Sequence, residues 1–421
     1  MKILLANYRY FISGGPERYM FNLKAQLEKR KHEIIPFSID YSRNHSSSYS
    51  KYFVSPIGDR EQVYYDQQDQ SRTTLLKTIS RLFYSNEVEK TVSRLVEETH
   101  PDIAYILHYL RKLSPSLLAA LKKKGLPVIV RLSDYMMLCP QAHFLRNDSP
   151  CSLCMPNKLL PSLRNKCVKG SHAASFLNMV ATCYHRKKHF FDLIDTFVCT
   201  NQFMYNMMIE AGYPEKRLTC IPTFTDSDHF QPDRSGKKSH YFIYVGRVTP
   251  IKGVHVLLEA MGKLPSNILQ GSHLKVVGAG ESSYLNQCKN TISALGLERS
   301  VEFLGEVATD ALPSLLNKAL FSVVPSLWYE NLPNSILESY SCGTPVLASN
   351  IGSLTDIVSV GRTGFLFEQG NAKDLAEKIE HCLSSPTLLA NMGIASRQEA
   401  ETKYAPSQHI DALLRLFAKL A

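Results

Sequence analysis

The stretch that decides the fold runs from residue 323 to residue 349 and reads VVPSLWYENLPNSILESYSCGTPVLAS. An apolar strand ends at Pro325, and a polar loop carrying Glu330 follows it. A helix is predicted from Asn334, where apolar residues begin to recur at helical spacing, and residues 345–348 predict the next strand. Strand, loop, helix and strand in this order predict one repeat of a parallel α/β sheet.

The same alternation extends through most of the chain. Strands are predicted at residues 2–6, 33–37, 103–107, 128–132, 196–200, 218–221, 241–245, 274–277, 301–304, 321–324, 345–348 and 364–367. The polar stretch from residue 41 to about residue 74 shows neither a helical nor a strand period, and it is interpreted as a loop or insertion. Two successive α/β units of similar size are therefore expected.

The predicted domain map has four parts. Residues 1–222 form an N-terminal domain expected to bind an acceptor, and residues 223–240, which are polar and contain proline, form a linker. Residues 241–405 form a C-terminal domain expected to bind a donor. Residues 406–421 form an amphipathic helix that is expected to dock on the N-terminal domain.

The composition is that of a folded protein with a basic first half. The chain has 421 residues, of which 44% are hydrophobic and only 10 are cysteine, so disorder, collagen and a disulfide miniprotein are excluded. Residues 1–225 carry 31 Lys and Arg against 19 Asp and Glu, whereas residues 226–421 carry 17 against 19. The excess in the first half suits an anionic membrane, a phosphorylated substrate or nucleic acid, and the alternative is a solvated basic face without a partner.

The first residues, MKILLANYRYFISGG, contain an apolar run too short for a signal peptide, and we find no stretch of membrane-spanning length. The sequence thus predicts a cytoplasmic protein with reduced thiols. It could reach a membrane from one side, as a peripheral protein, through basic runs such as Lys122–Lys124 and Arg186–Lys188.

Two groups of residues suggest chemistry on anionic sugar phosphates. Glu330 and Glu338 are eight residues apart, so a continuous helix would place both carboxylates near one line, whereas the alternative is a surface loop and a solvated helix residue. Gly246 ends a predicted strand, and Arg247 and Lys252 follow it, where open α/β sheets bind ligands. A guanidinium and an ammonium suit a diphosphate, although each alone would more often be a surface cation.

These motifs resemble a known family. GRVTPIKG, followed by PSLWYENLPNSILESYSCGTPVLAS, is similar to the donor domain of family-4 retaining glycosyltransferases of the GT-B fold. GGPERYMFNLKAQLEKRKHEI, PDIAYILH and IPTFTDSDHFQPD resemble the opening helix, a strand ending in histidine and the linker of the same family. The resemblance implies two Rossmann-like α/β domains that face each other across a cleft, with the C-terminal helix crossing back to the first domain.

The resemblance also implies roles for individual residues. Arg247 and Lys252 would bind the diphosphate, Glu330 would face the donor sugar, and His108 would contact the sugar near C6, with a structural strand-end histidine as the alternative. The donor-binding residues implied are Gly14, Gly15, Gly246, Gly305, Val307, Asn331, Leu332 and Glu338. Asp134 and Glu17 are the acceptor candidates, and the His-Asp pair of the family is Ser133-Asp134 here.

The activity implied is transfer of a sugar with retention, without a catalytic metal. The expected donor is a UDP-sugar, with GDP-mannose next, and the expected acceptor is a saccharide or a lipid-linked saccharide of a cell-surface polysaccharide. The alternatives are a phosphorylase or nucleotide-sugar epimerase of the same fold, or a non-catalytic binding module. A nucleic-acid partner is not expected, because no aromatic and basic reading motif accompanies the basic half.

The cysteines at positions 139, 151, 154 and 167 form a further cluster in the sequence, with a CxxC at its centre. Four thiolates can hold a structural zinc ion in tetrahedral geometry. The alternative is four reduced thiols without metal.

Overall fold

The computed structural model describes residues 1–63, 71–147, 149–233 and 237–421. The first of two units comprises Met1–His143, Ser152–Ile221 and Ile410–Ala421, and the second comprises Phe144–Cys151 and Pro222–His409. The segment Phe144–Cys151 lies in the second unit, although the sequence analysis assigned it to the N-terminal domain. The predicted functional domain map remains a prediction.

The strands begin and end within a residue or two of the predicted positions. They are β1 (Lys2–Ala6), β2 (Glu33–Phe37), β3 (Ile103–Ile106), β4 (Val128–Arg131), β5 (Leu145–Arg146), β6 (Ser149–Pro150), β7 (Thr196–Cys199), β8 (Leu218–Cys220), β9 (Tyr241–Val245), β10 (His273–Val277), β11 (Val301–Gly305), β12 (Ser322–Val324), β13 (Val346–Ser349) and β14 (Gly364–Phe367). The short hairpin of β5 and β6 was not predicted.

The helices fill the connections between these strands. They are α1 (Gly15–Lys29), α2 (Arg72–Phe83), α3 (Asn86–Thr99), α4 (Ser116–Lys123), α5 (Leu160–Arg164), α6 (His172–Lys187), α7 (Gln202–Glu210), α8 (Val254–Met261), α9 (Ser266–Leu269), α10 (Ser282–Leu295), α11 (Leu312–Lys318), α12 (Asn334–Ser341), α13 (Leu354–Ile357), α14 (Ala372–Leu383), α15 (Pro386–Lys403) and α16 (Pro406–Leu420). The predicted loop from residue 41 to about 74 contains a 3-10 turn, Ser50–Tyr52, and ends in the start of α2. Residues 64–70 of that prediction lie outside the described residues.

The first unit is built on a parallel sheet in the order β2-β1-β3-β4-β7-β8. All four residues of β3 and of β4 are buried, as expected for central strands covered on both faces. Within this unit the hydroxyls of Tyr19 and Tyr105 lie 3.1 Å apart. The ring of Tyr105 also packs on Phe417 of α16 at 5.6 Å, and Arg30 pairs with Asp411 of the same helix.

The second unit repeats the architecture with the order β11-β10-β9-β12-β13-β14, again all parallel. Its main core lies under α8, α10 and α14, where Phe242 and Phe321 stack at 4.9 Å. A smaller core lies under α12 and α13. The α/β fold with two parallel sheets is therefore confirmed, and it places the carboxyl ends of each sheet's six strands on one edge.

The structure also describes part of the predicted linker, and its helices can be checked for the length and apolarity of a membrane span. Phe224 and Phe230 of the predicted linker are buried and belong to the second unit, so the first part of the linker packs against that unit. Among the described residues, no helix is both long enough and apolar enough to cross a membrane.

Candidate functional site

The second unit brings Lys252 and Glu330 together, although they are 78 residues apart in sequence. The Lys252 Nζ lies 2.5 Å from Glu330 Oε1. Lys252 lies in the loop after β9 and Glu330 in the loop after β12, two strands that are neighbours in the sheet. Both side chains are largely buried, with 18% and 6% of their surfaces exposed. A buried ion pair at the carboxyl ends of adjacent strands is typical of a ligand site rather than of a solvated surface.

Two further donors hold the Glu330 carboxylate. The Ser326 hydroxyl donates to Oε1 at 2.6 Å, and the Trp328 indole N–H donates to the same oxygen at 2.9 Å. The Ser353 hydroxyl donates to the Glu330 main-chain oxygen at 2.7 Å. Sequence reasoning missed these residues as part of the site, although Ser326 and Trp328 stand within the stretch that decided the fold. Together they fix the position of the carboxylate before any ligand is bound.

Glycines allow the loops of this site to approach each other closely. Gly253 has a φ of 72°, and a Cβ there would lie 1.8 Å from the Pro325 carbonyl oxygen in the loop after β12. A Cβ on Gly278, which follows β10 with a φ of 139°, would lie 1.8 Å from the Gly246 oxygen. The backbone N–H of Leu327 also donates to the Ile251 oxygen at 2.9 Å. Only glycine fits at positions 253 and 278, so the loops that contain them require glycine there.

Arg247 differs from Lys252 in its surroundings. Its side chain is exposed, and within the part of the chain that the structure describes it forms no ion pair. Its main-chain oxygen accepts a hydrogen bond of 2.6 Å from Tyr244, whose phenol pKa is raised by burial and by the charge of Glu330. The loop after β9 thus presents one exposed cation and one cation that is already paired.

Glu338 does not follow the geometry predicted for it. The sequence analysis considered a helix continuous from Glu330, but α12 begins only at Asn334, after Pro333, so the loop between is not helical. Glu338 lies on α12 with 3% of its surface exposed. Burial and the nearby Glu338 carboxylate raise the pKa of Cys342 to about 12. The continuous helix that would align Glu330 and Glu338 over two turns therefore does not form, because a proline at the N-cap marks the start of α12.

The remaining predicted donor residues of this unit lie on neighbouring loops. Asn331 and Leu332 are half-buried immediately before α12. Gly305 ends β11 with a φ of 67°, and its oxygen accepts a hydrogen bond of 2.7 Å from the Gly278 N–H. Val307 follows it and packs on a small apolar cluster. Their predicted contacts with sugar and base remain predictions.

In the first unit, the structure brings His108 and Asp134 together. They follow β3 and β4, and His108 Nε2 lies 3.4 Å from Asp134 Oδ2. Although burial alone would raise the pKa of Asp134, the hydrogen bond and charge of His108, together with the Met136 N–H at 2.8 Å, hold it below its usual value. Both residues line a small cavity of about 30 Å³. The two side chains form a polar pair at the carboxyl edge of this sheet.

The other predicted residues of the first unit lie at the start of α1. Gly14 is the N-cap of this helix and Gly15 its first residue. Glu17 is buried, where the Ser13 hydroxyl donates to it at 3.0 Å and Arg9 lies 3.6 Å away. Ser133, which replaces the family's histidine, accepts a hydrogen bond of 2.7 Å from Arg131. The acceptor roles of Glu17 and Asp134 remain predictions, and the burial of Glu17 is more typical of a structural carboxylate.

The structure does not form the predicted zinc site. Cys139, Cys151, Cys154 and Cys167 are thiols, and among the residues that the structure describes no group of three or more His, Cys, Asp or Glu side chains is arranged to hold a metal ion. Cys151 follows the β5–β6 hairpin and belongs to the second unit, whereas the other three belong to the first. Cys154 lies in a turn in which the Met155 N–H donates to the Ser152 oxygen.

Comparisons with known proteins relate the second unit to a family of transferases. Residues 226–399 match the family "Glycosyl transferases group 1". A D-inositol 3-phosphate glycosyltransferase of Rhodococcus opacus is 33% identical over 206 residues, which are 45% of this chain and 45% of that protein. Spore coat protein SA of Bacillus subtilis is 29% identical over 191 residues, 44% of this chain and 49% of that protein. The match thus spans about half the length of these curated relatives.

Solved structures extend the likeness to the whole fold. Anabaena HepE in complex with UDP superposes with a TM-score of 0.71 at 18% identity, covering 100% of both chains. Sucrose-phosphate synthase of Thermosynechococcus elongatus superposes with a TM-score of 0.72 at 17% identity, covering 100% of this chain and 98% of that one. Residues 226–399 are therefore a glycosyltransferase group 1 domain, in a chain that has the two-sheet GT-B fold.

Proposed function

We propose that this protein is a retaining glycosyltransferase that moves a sugar from a nucleotide sugar to a saccharide or lipid-linked saccharide acceptor. The observation that carries the proposal is the Lys252–Glu330 pair, held at 2.5 Å at the carboxyl ends of β9 and β12. Both residues fall inside the segment that matches the glycosyltransferase family. The pair offers a cation for a phosphate and a carboxylate for sugar hydroxyls within one small volume.

The cations of the loop after β9 suit a departing diphosphate. As the bond between the sugar and the diphosphate breaks, negative charge grows on the leaving oxygen, and a fixed cation stabilises it. Lys252 is fixed by Glu330, and the exposed guanidinium of Arg247 can bind phosphate oxygens in a bidentate manner. We propose that these two residues supply the positive charge that metal ions supply in other transferases, so chelators should leave the rate unchanged.

Glu330 is proposed to orient the donor sugar by accepting hydrogen bonds from its hydroxyls. In the transfer, the bond from the anomeric carbon to the diphosphate breaks and a bond to the acceptor oxygen forms on the same face. The acceptor's proton passes to an oxygen of the departing diphosphate, so the carboxylate need not act as a nucleophile. The hydrogen bonds from Ser326 and Trp328 keep the carboxylate in place during this step.

A UDP-sugar is the proposed donor, with GDP-mannose as the next choice. HepE, which shares the fold, has been solved with UDP, with UDP and glucose, and with UDP-glucose. The donor can be tested by thermal unfolding with UDP, GDP, ADP and their sugars, because a ligand that binds the native state raises the melting temperature. The largest shift is expected with UDP or a UDP-sugar, and a larger shift with GDP would overturn the choice of base.

The proposed acceptor is a saccharide or a lipid-linked saccharide used in building a cell-surface polysaccharide. His108, with Asp134 beside it, is proposed to contact the transferred sugar, because the pair lies at the carboxyl edge of the first unit's sheet. A cytoplasmic location with peripheral contact to the membrane is part of the same proposal. The basic first half of the chain supports an anionic partner.

The decisive experiment measures nucleotide release and product stereochemistry with purified protein. Nucleotide release that requires the acceptor, with the anomeric configuration retained by NMR, is the expected result. Glu330→Gln and Lys252→Ala should each lower transfer by about a hundredfold or more while the protein stays folded. Lys275→Ala, which removes a half-buried lysine paired with Glu302 in the same unit, is the matched control and should keep full activity.

Other outcomes distinguish the alternatives. Wild-type turnover in either site variant would contradict the assignment of Lys252 and Glu330. Formation of a sugar phosphate from free phosphate would indicate a phosphorylase, and inversion of the donor sugar without acceptor would indicate an epimerase. Nucleotide-sugar binding without turnover on any acceptor would indicate a binding module.

A further inference from the structure

The short hairpin of β5 and β6 lies within the part of the sequence that forms the first unit, but it belongs to the second unit. The chain on both sides of it, up to His143 and from Ser152, is part of the first unit, whereas Phe144–Cys151 is part of the second. Each of its strands has only two residues. A two-stranded hairpin of this size is not stable alone in water. Contacts with the second unit must therefore hold it in place.

Phe144 is the residue that anchors the hairpin. It is buried, with 1% of its surface exposed, whereas the described residues from position 146 to position 150 are all exposed. The Cys151 N–H donates to the Phe144 oxygen at 2.7 Å and closes the hairpin. Phe144 also has a φ of 49°, a conformation that is unfavourable for a residue with a Cβ. The packing of its ring must offset this cost, which indicates that the position of the ring is specified.

The ring of Phe144 packs on Tyr329, which lies in the loop after β12. The two ring centroids are 6.0 Å apart with an angle of 63° between the planes, close to the edge-to-face arrangement that aromatic pairs prefer. Burial and the nearby thiol of Cys151 raise the pKa of the Tyr329 phenol. Phe144 and Cys151 stand at the two ends of the hairpin. Both ends therefore lie close to Tyr329.

A second contact fixes Tyr329 from the loop after β13. Gly352 has a φ of 54°, and a Cβ there would lie 2.8 Å from Tyr329 Cδ1, so the tyrosine ring lies directly against the glycine. The next residue, Ser353, donates its hydroxyl to the main-chain oxygen of Glu330. Tyr329 also packs on the smaller core under α12 and α13. The hairpin, Gly352 and this core together set the position of Tyr329.

Tyr329 stands in the sequence between two residues of the candidate site. The Trp328 N–H donates to Glu330 Oε1 at 2.9 Å, and the Trp328 ring centroid lies 5.4 Å from Lys252 Nζ. The ring of Tyr329 instead contacts Phe144. Because consecutive residues are joined by rigid peptide units 3.8 Å long, a displacement of Tyr329 must displace Trp328 and Glu330 as well. The contact with the hairpin is thus coupled to the position of the carboxylate.

We propose that Phe144 is a positioning residue, which acts through Tyr329 on the Glu330 carboxylate. The β5–β6 hairpin is then a part of the donor site that the first half of the sequence supplies. Its effect on sugar transfer rests on the proposed function, whereas its effect on the loop after β12 can be measured without any sugar. A purely structural role of Phe144 would change stability and leave the arrangement of that loop unaltered.

Tryptophan fluorescence tests the placement of the loop in the full chain without ligand. Trp328 is the one tryptophan of the sequence, so its emission reports on this loop alone. Phe144→Ala should raise the quenching constant for acrylamide about twofold, because a less ordered loop exposes the half-buried indole. Phe144→Leu keeps most of the apolar volume and should stay close to the wild type. Phe365→Ala is the matched control: it removes a ring that contacts His381 at 5.3 Å in the same unit, and should leave quenching unchanged.

Transfer kinetics test the consequence for the reaction. Phe144→Ala should lower the rate constant of transfer about tenfold while the donor KM changes less than about twofold, and Phe144→Leu should restore most of the rate. Phe365→Ala should keep the wild-type rate. Phe144→Ala combined with Ser326→Ala should lose less than the product of the two single losses, because both changes act on the same carboxylate. If Phe144→Ala does not fold, Tyr329→Leu removes the other ring of the pair and carries the same expectations.

Three results would overturn the proposal. The first is acrylamide quenching of the folded Phe144→Ala variant at the wild-type level. The second is raised quenching in that variant with an unchanged rate of transfer. The third is a combined variant whose loss equals the product of the two single losses, which would show that Phe144 and Ser326 act independently. Absence of transfer in the wild-type chain would instead contradict the proposed function, and the quenching result would still stand.

Discussion

The loops at the carboxyl edges of the two sheets are built by different means. In the second unit the turns that shape the site use glycine with positive φ, as at Gly253, Gly278 and Gly305. In the first unit the turn after β3 uses Arg111 with a φ of 62° and Ser114 with a φ of 69°, residues with a Cβ that tolerate this region less readily. Glycine positions thus determine the loop conformations at the carboxyl edge of the second unit's sheet. Packing and hydrogen bonds determine those at the edge of the first unit's sheet.

This difference also appears in the side chains that each edge holds. Glu330 receives three donors on one carboxylate oxygen, so its position is strongly determined. His108 has one close carboxylate partner at 3.4 Å, and its Nδ1 is buried without a hydrogen-bond partner among the described residues. A tightly determined site suits a constant group such as a nucleotide diphosphate, whereas a less determined one can adapt to a varied acceptor.

The largest effect is expected where two loops of the second edge approach closest. Gly253→Ala would place a Cβ 1.8 Å from the Pro325 oxygen at a φ of 72°, so unfolding of this unit should be easier by more than about 3 kcal/mol. Gly296→Ala is the matched control, because Gly296 has a φ of 66° but nothing within 4 Å of the new Cβ, and should cost about 1 kcal/mol. Denaturant unfolding measures the free energy of unfolding of both variants. Equal losses of this free energy would show that the close approach to the Pro325 oxygen does not affect stability.

The next effect concerns the preset position of Glu330. Ser326→Ala removes one of its donors, so we expect the rate constant of transfer to fall about tenfold with the donor KM nearly unchanged. Ser396→Ala removes a buried hydroxyl of the same unit, which donates to the Thr363 oxygen, and should leave the rate unchanged. A rate equal to that of the wild type in Ser326→Ala would mean that Lys252 and Trp328 position the carboxylate alone.

A smaller effect is expected from Asp134 in the first unit. Its folded-state pKa lies below the ordinary value of 3.8, so its charged form stabilises the fold above that pH. This stabilisation should be lost as the pH falls from about 4 through the lowered pKa, and Asp134→Asn should flatten that part of the profile. Melting temperatures measured from pH 7 downward test this, with the exposed Asp59→Asn as control. An unchanged acid profile in Asp134→Asn would contradict the pairing with His108.

The smallest effect concerns the non-glycine turns of the first unit. His100 is exposed and caps α3 with a φ of 49°. His100→Gly should stabilise this unit by about 0.5–1 kcal/mol, because glycine adopts this conformation without strain. His100→Ala keeps the Cβ and should give no such gain. If both variants behave alike in denaturant unfolding, these turns carry less strain than the comparison with the second unit suggests.

The sequence predicted the second unit more completely than the first, and particular residues show why. Two short motifs contain Gly246, Arg247, Lys252 and Glu330. Each motif forms one loop at the end of one strand, so residues that are close in the sequence stay close in the structure. Ser326 and Trp328 were overlooked, since only the folded loop turns them toward Glu330. The helix begins at Asn334 as the sequence predicted, so it does not continue from Glu330, and the shared line of Glu338 and Glu330 stays a prediction.

By itself the sequence determined the α/β class, the order of strands and helices, the two parallel sheets and the donor-side motifs, because these depend on local periodicity and on residues close together in the chain. The tertiary structure alone decided which distant groups meet: Lys252 with Glu330, His108 with Asp134, and Lys122–Lys124 with three carboxylates. Among the residues that the structure describes, it also arranges no group of three or more His, Cys, Asp or Glu side chains at the four cysteines to hold a metal ion. Such pairings depend on packing across the sheet, which a linear pattern does not encode.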